Sequence, residues 1–226
     1  MKRTIVIAVL LAGCGSNPPV PDWQMNAHSS IERATAAYMS GNARVEAAET
    51  ARVREALSST GKVDLIIRAE LIRCAARVAS LVFEDCTGYD KLAVDASPAD
   101  RAYAAYLAGR LSGPEPAPQA SGPSAADIAL LPEQHRAVAA ASTDVAAASA
   151  VQTIADPLSR LIASGVLLRA GRATPQLLAN AVDTASAQGW RRPLLAWLGV
   201  QAMRAEQAGD ISEAQRIKRR IALAGG

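Results

Sequence analysis

Apolar residues recur at helical spacing along the chain, and the stretch from Lys62 to Glu84 shows this pattern over several turns. One face of a helix drawn through it is apolar, with Leu65, Ala69, Ile72, Ala76, Ala79 and Phe83. The opposite side carries charges at spacings of three, four and seven, namely Glu70, Arg73, Arg77 and Glu84. The periodicity predicts an amphipathic helix that buries its apolar face against neighbours. Arg68, at the edge of the stripe, is expected to extend its charge into solvent.

Helix-start signals recur at a regular interval in the second half of the chain. Proline suits the first helical position, and Asp or Thr suits the capping position before it. Four such starts fall 18 residues apart, at Asp156-Pro157, Thr174-Pro175, Arg192-Pro193 and Gly209-Asp210-Ile211. Gly171, Gly189 and Gly209 stand near the matching helix ends, where a left-handed residue is commonly required. The interval predicts short helices joined by tight turns.

The first half repeats this rhythm, with boundaries at Gly41-Asn42 and Thr60-Gly61 and a first helix after Pro21. Alanine supplies much of the 50% hydrophobic content, whereas aromatic residues make up 4%. Alanine is the best helix former, and stretches rich in Val, Thr, Tyr and Phe are hard to find. The chain is therefore predicted to be all-α and built of stacked antiparallel helical hairpins.

The hairpin period resembles that of the tetratricopeptide repeat family, since two such helices fill about 36 residues and that family repeats every 34 or so. In the last hairpin, Ala202, Gly209 and Ala214 match family positions for small residues or the turn glycine. Leu198 and Lys218 depart from positions where the family prefers tryptophan and an aromatic residue. The resemblance implies a TPR-like stack, and an irregular helical bundle is the alternative.

A segment rich in proline and glycine divides the chain. Residues 112–124 hold four prolines and two glycines, a composition that excludes regular structure. We expect a linker or a long exposed loop here, between a helical domain at 22–111 and a TPR-like helical domain at 125–226. Each part is long enough to hold a small core.

The N-terminus has the form of an export signal. Lys2 and Arg3 precede seven apolar residues, Ile5 to Leu11, and no further charge occurs before Asp22. Such a run is far shorter than the ~20 residues that span a bilayer. Residues 1–13 are therefore predicted to be a signal peptide, with a buried helix as the alternative.

The four residues that close this run, Leu11-Ala12-Gly13-Cys14, resemble the lipobox of bacterial lipoproteins. The resemblance implies that Cys14 becomes the first mature residue and carries acyl chains such as palmitate. Two or three chains hold a protein on a membrane essentially permanently. Gly15 follows Cys14 where an aspartate commonly retains such proteins at the inner membrane, so the periplasmic face of the outer membrane is the expected location. Residues 14–21 would form a stiff, lipidated tether.

Two further cysteines, Cys74 and Cys86, would meet an oxidising compartment after export. Along one straight helix their Cα atoms would lie ~18 Å apart, too far for a disulfide. A bond requires the helix to end near Phe83 and the chain to turn back through 84–88. A disulfide and a pair of reduced thiols both remain open, whereas a metal site is disfavoured because no histidine is nearby.

No catalytic arrangement is recognisable, so an enzyme is not expected, and no cofactor or metal is predicted. The two histidines, His28 and His135, lie on opposite sides of the linker, and the usual zinc-hydrolase, nucleophile-elbow and phosphate-loop motifs do not occur. Ser29 with Glu32 has the form of a capping box beside His28. The adjacent acids Glu84 and Asp85 are most simply solvated surface groups.

Two features suggest a binding surface near the C-terminus. Basic residues cluster there, namely Arg191, Arg192, Arg216, Lys218, Arg219 and Arg220, and two tryptophans, Trp190 and Trp197, lie within two helical turns of one another. A solvated outer face and core packing are the plainer explanations. An exposed basic cluster would suit anionic lipid, lipopolysaccharide phosphate or an acidic partner, and an exposed tryptophan beside arginines would mark a protein contact.

The net charge of +3 includes Lys2 and Arg3, so removal of the signal leaves about +1, which argues against nucleic acid as a partner. The sequence thus favours a lipid-anchored periplasmic scaffold or adaptor that binds another envelope protein. The alternative is a periplasmic factor that binds or modifies cell-wall glycan. A third hypothesis is a purely structural lipoprotein that supports its membrane without a dedicated partner.

Overall fold

The computed structural model describes residues 20–111 and 125–226, with the backbone alone for 125 and 126. The predicted signal peptide, Cys14, most of the tether and the predicted linker lie outside these residues. The described parts form twelve α-helices and no strand, which confirms the all-α prediction. The helices are α1 Asp22–Ser40, α2 Ala43–Ser58, α3 Val63–Ala79, α4 Thr87–Asp90, α5 Pro98–Leu107, α6 Ala125–Leu130, α7 Glu133–Ala140, α8 Asp144–Gln152, α9 Pro157–Arg169, α10 Pro175–Ala187, α11 Arg191–Gln207 and α12 Ile211–Gly225.

The regularly spaced helix starts are largely confirmed. Asp156, Thr174 and Asp210 each cap a helix by accepting a hydrogen bond from the backbone N–H three residues later. The third start differs slightly, because α11 begins at Arg191 with Trp190 as its N-cap, and Pro193 lies inside its first turn. Gly171, Gly189 and Gly209 have φ angles of 74°, 64° and 75°. These left-handed positions end the helices and turn the chain.

Helix α3 is shorter than predicted. It ends at Ala79, and the backbone N–H of Val82 bonds back to the carbonyl of Arg77 at 2.9 Å. Leu81 adopts a φ of 60°, which is rare for a residue with a branched side chain. Phe83 and Glu84 therefore lie in the following loop, and the prediction of a helix through Glu84 is wrong.

The two halves of the chain share one hydrophobic core. It joins Ile67 and Leu71 of α3 to Leu161 and Val166 of α9 and to Leu198 of α11. Helices α3 and α9 pack closely because α9 presents a glycine, Gly165, to the backbone of Val78. Two smaller clusters complete the packing, one formed by α7 to α10 and one between α1 and α2. The two helical parts on either side of the predicted linker, whose packing the sequence left open, are thus in direct contact.

Candidate functional site

Of the two tryptophans predicted near the basic surface, Trp197 lies on the inner side of α11 and Trp190 is its N-cap. Trp197 is fully buried, and its indole Nε1 donates to the carbonyl of Ala79 at 3.0 Å. Trp190 is half-buried and packs against the shared core. Trp197 therefore cannot belong to a binding surface, because the side of α11 that carries it faces α3.

The two arginines at the start of α11 have structural contacts. The guanidinium of Arg192 lies 4.4 Å from the centre of the Tyr38 ring, and its Nε donates to the Tyr38 carbonyl at 2.7 Å. Arg192 thereby joins α11 to the C-terminal end of α1. Arg191 remains exposed and donates to the carbonyl of Gly225 at the end of α12.

The remaining basic residues lie on α12, where Arg216, Lys218 and Arg219 are exposed and Arg220 is half-buried. Burial of Ala214 and Ile217 against α11 turns the polar side of α12 outward. We call Arg216, Lys218, Arg219 and Arg220 the basic face. Arg216 pairs with Glu213, with nitrogen–oxygen distances of 2.5 and 2.6 Å, and Lys218 pairs with Glu206 of α11. Hydrogen bonds from Arg216 are the main cause of the lowered pKa of Glu213.

Charge is unevenly distributed along the chain. Residues 190–226 contain seven basic and three acidic residues, a net charge of +4. Residues 14–189 contain fifteen basic and eighteen acidic residues, a net charge of −3. The α11–α12 hairpin is therefore the positive part of an otherwise acidic body, although the total charge is nearly balanced. Such segregation attracts an anionic surface to one end of a protein.

Cys74 and Cys86 form a disulfide, one of the two states that the sequence left open. Their Cα atoms are 5.9 Å apart because α3 ends at Ala79 and the chain folds back along it. Within residues 20–111 and 125–226, no group of three or more His, Cys, Asp or Glu side chains is placed to hold a metal ion. The acids Glu84 and Asp85 are exposed, as expected.

The two histidines lie in different environments. His28 is exposed on α1, 3.4 Å from Glu32, and the expected capping box is wrong because Ser29 lies inside α1 and bonds to backbone carbonyls. His135 is 1% exposed at the start of α7. Its Nδ1 lies 3.2 Å from the Tyr106 hydroxyl, and burial lowers its pKa to about 4. His135 is thus a neutral core residue at neutral pH.

Helix α3 carries a buried carboxylate that the sequence pattern does not predict. Glu70, assigned to the solvent side, is 5% exposed. Burial raises the pKa of Glu70, but the hydrogen bonds and positive charges of Arg54 and Arg73 together outweigh burial, and the net pKa is lowered. Arg54 of α2 donates to Oε1 at 2.7 Å, and Arg73 donates to Oε2 at 2.9 Å. The spacing of three residues between Glu70 and Arg73 is a sequence signal for their ion pair. The second partner, Arg54, comes from α2, and no local pattern in the sequence indicates that contact.

No helix in the described part of the chain is long and apolar enough to cross a membrane. Comparison of the chain with protein-family models, with curated proteins and with solved structures finds no match.

Proposed function

We propose that this protein is a lipid-anchored adaptor of the bacterial cell envelope that binds an acidic protein partner through the basic face of α12. The observation that carries the proposal is the charge asymmetry, +4 in the α11–α12 hairpin against −3 in residues 14–189. A partner with an acidic surface would be attracted to this hairpin and repelled by the rest of the body.

The accessibility of the basic face supports the same role. Arg219 lies opposite the buried residues Ala214 and Ile217 and forms no ion pair with any residue that the structure describes. Leu223, one helical turn further on, is 86% exposed. An unpaired arginine beside an exposed leucine is a combination that suits a protein contact. The TPR-like arrangement of hairpins is a further part of the proposal, because such stacks present extended surfaces to partners.

The membrane attachment rests on Cys14, through the resemblance of residues 11–14 to a lipobox. Mass spectrometry of the processed protein should find Cys14 as the first residue, carrying acyl chains. Cys14→Ser should move the protein from the membrane fraction to the soluble envelope fraction. An intact N-terminal methionine, or an unmodified Cys14 thiol in membrane-bound protein, would contradict the anchor.

The partner is tested by purification from solubilised membranes. We expect wild type to retain a stoichiometric protein of acidic net charge, and we expect that protein to dissociate as salt is raised. Reversal of charge in Arg219→Glu/Arg220→Glu should abolish retention. Arg44→Glu is the control, because Arg44 is exposed on α2, away from the basic face. Recovery of wild type alone, or equal retention by the reversed variant, would overturn the proposal.

A further inference from the structure

A polar cleft of about 300 Å³ opens beside the disulfide. Its floor is α3, including Arg73 and Arg77. One wall, which we call the loop wall, is the segment 82–90 that the Cys74–Cys86 disulfide joins to α3. A second wall, which we call the arginine wall, comes from the end of α5, from Arg110 just after it and from Arg169 at the end of α9. The volume lies at the lower limit for small-molecule sites. By contrast, the apolar groove between α1, α2 and α3 offers only about 40 Å³, enough for little more than water.

The two walls of the cleft carry opposite charges. The loop wall includes α4 and presents three carboxylates, those of Glu84 and Asp85 in the loop and of Asp90 at the end of α4. All three are exposed and form no ion pair with any described residue. The arginine wall presents two guanidinium groups. Arg110 is exposed, and Arg169 donates to the carbonyl of Leu107 at 3.3 Å while its guanidinium lies 5.5 Å from the centre of the Phe83 ring.

The arginines of the floor contribute little free charge, because each already has an acidic partner. Arg73 bonds to Glu70 at 2.9 Å, and Arg77 lies 3.4 Å from Glu46. The groups left without an acidic or basic partner are therefore two cations on one wall and three anions on the other. An anion alone would be repelled by the loop wall, and a cation alone by the arginines.

We infer that the disulfide cleft binds a small zwitterion, specifically a short peptide with a free amino group and a free carboxylate. The carboxylate would lie against Arg110 and Arg169, which offer planar donors suited to it. The ammonium group would lie against the acidic loop, and Tyr89 and Leu107 would contact the apolar part. This inference goes beyond the proposed adaptor role, since it depends neither on the anchor nor on the basic face.

The disulfide gives the cleft its shape. Cys86 lies in the middle of the acidic loop, between Asp85 and Thr87, and the bond to Cys74 holds this loop against the floor. The acidic segment is thereby held in place before a ligand arrives, which lowers the entropic cost of binding.

The test is calorimetric titration of the detergent-solubilised full chain with the dipeptide alanyl-alanine, at low salt. We expect saturable binding, and we expect N-acetylation or C-amidation of the dipeptide to weaken it by at least about fivefold each, because each removes one charge. Arg110→Ala and Glu84→Gln/Asp85→Asn should weaken binding of the free dipeptide to a similar extent. All three side chains are exposed, so these variants are expected to fold.

Matched controls are Arg44→Ala and Asp183→Asn, which remove one exposed charge of each sign on α2 and α10, outside the cleft. Both should bind the dipeptide as wild type does. The inference is overturned if folded wild type gives no saturable binding, or if a capped dipeptide binds as tightly as the free one. Equal binding by the cleft variants, or equal weakening by the controls, would also overturn it.

Discussion

The indole of Trp197 donates a hydrogen bond of 3.0 Å to the backbone carbonyl of Ala79, 118 residues earlier in the chain. Ala79 is the last residue of α3, where carbonyls have no partner within the helix. Trp197 is fully buried, so it satisfies this carbonyl away from water and fills the space between α3 and α11. One side chain thus joins the two halves of the molecule through both packing and hydrogen bonding.

Trp197→Phe should therefore lower the free energy of unfolding by about 2–3 kcal/mol, because it leaves the Ala79 carbonyl unpaired and opens a small cavity. Chemical denaturation followed by circular dichroism measures the change. Trp23→Phe is the control, since Trp23 is half-buried in the small cluster between α1 and α2 and should cost less than about 1 kcal/mol. Equal losses in the two variants would argue against a special role for the Ala79 contact.

Two glycines inside helices should respond in opposite ways to alanine. A Cβ at Gly165 of α9 would lie 2.3 Å from the carbonyl oxygen of Val78, so Gly165→Ala must separate α9 from α3 and should cost about 2 kcal/mol or more. A Cβ at Gly199 of α11 meets nothing within 4 Å, so Gly199→Ala should stabilise the protein by up to about 1 kcal/mol through helix propensity. Thermal and urea unfolding of both variants measures this difference, and stabilisation by Gly165→Ala would contradict the described helix contact.

The sequence predicts the ends of the helices after α8 well, because their signals are local, whereas it places the end of α3 too late. Asp156 and Thr174 cap helices through atoms three residues away, and Gly171 and Gly189 turn the chain by their own φ angles. The pairing of α3 with α9 has no comparable signal. Gly165 occurs within an ordinary helical pattern, and only the approach of Val78 explains it.

The candidate site was predicted less well, because the exposure of its residues also depends on contacts between helices that are distant in sequence. Three of the four basic residues of α12 are exposed and the fourth is half-buried. Trp197 and Arg192, predicted to lie beside them on a binding surface, instead hold helices together. The face that a residue presents depends on which helices pack against its own, and spacing along one helix does not give that information. The burial of Glu70 likewise depends on Arg54 of α2 and on the loop that the Cys74–Cys86 disulfide holds against α3.

Glu70 and Gly88 should show strong energetic coupling. A Cβ at Gly88 of α4 would lie 2.2 Å from the Glu70 carboxylate oxygen that accepts from Arg73, so Gly88→Ala should displace the carboxylate and cost about 1–3 kcal/mol. In a Glu70→Ala background this clash is absent, and Gly88→Ala should cost much less. A double-mutant cycle by urea unfolding measures the coupling, which we expect to exceed 0.5 kcal/mol or so. Simple additivity would show that the carboxylate and the α4 backbone are not in contact.

The buried position of His135 should make the fold sensitive to mild acid. Burial lowers the pKa of its imidazole from 6.5 to about 4, while Asp156 acts weakly in the opposite direction. An unfolded chain therefore binds a proton to this group at a higher pH than the folded chain does. The associated stability is fully present above pH ~6.5 and is lost as the pH falls toward 4, with about 2 kcal/mol lost by pH 5.

His135→Phe removes this titration while keeping an aromatic ring beside Tyr103 and Tyr106, whose ring centres lie 6.0 and 5.0 Å from that of His135. The variant also loses the hydrogen bond to Tyr106, which lowers its stability by a similar amount at each pH. The informative quantity is therefore the slope of the free energy of unfolding against pH, measured between pH 7 and 5. That slope should be steeper in wild type by about 1 kcal/mol per pH unit. Carboxylates with lowered pKa, such as Glu70, lose their contribution at lower pH, below their ordinary pKa of 4.5, and therefore do not mask the difference. Parallel slopes in the two proteins would show that His135 reaches solvent and ionises in the folded state.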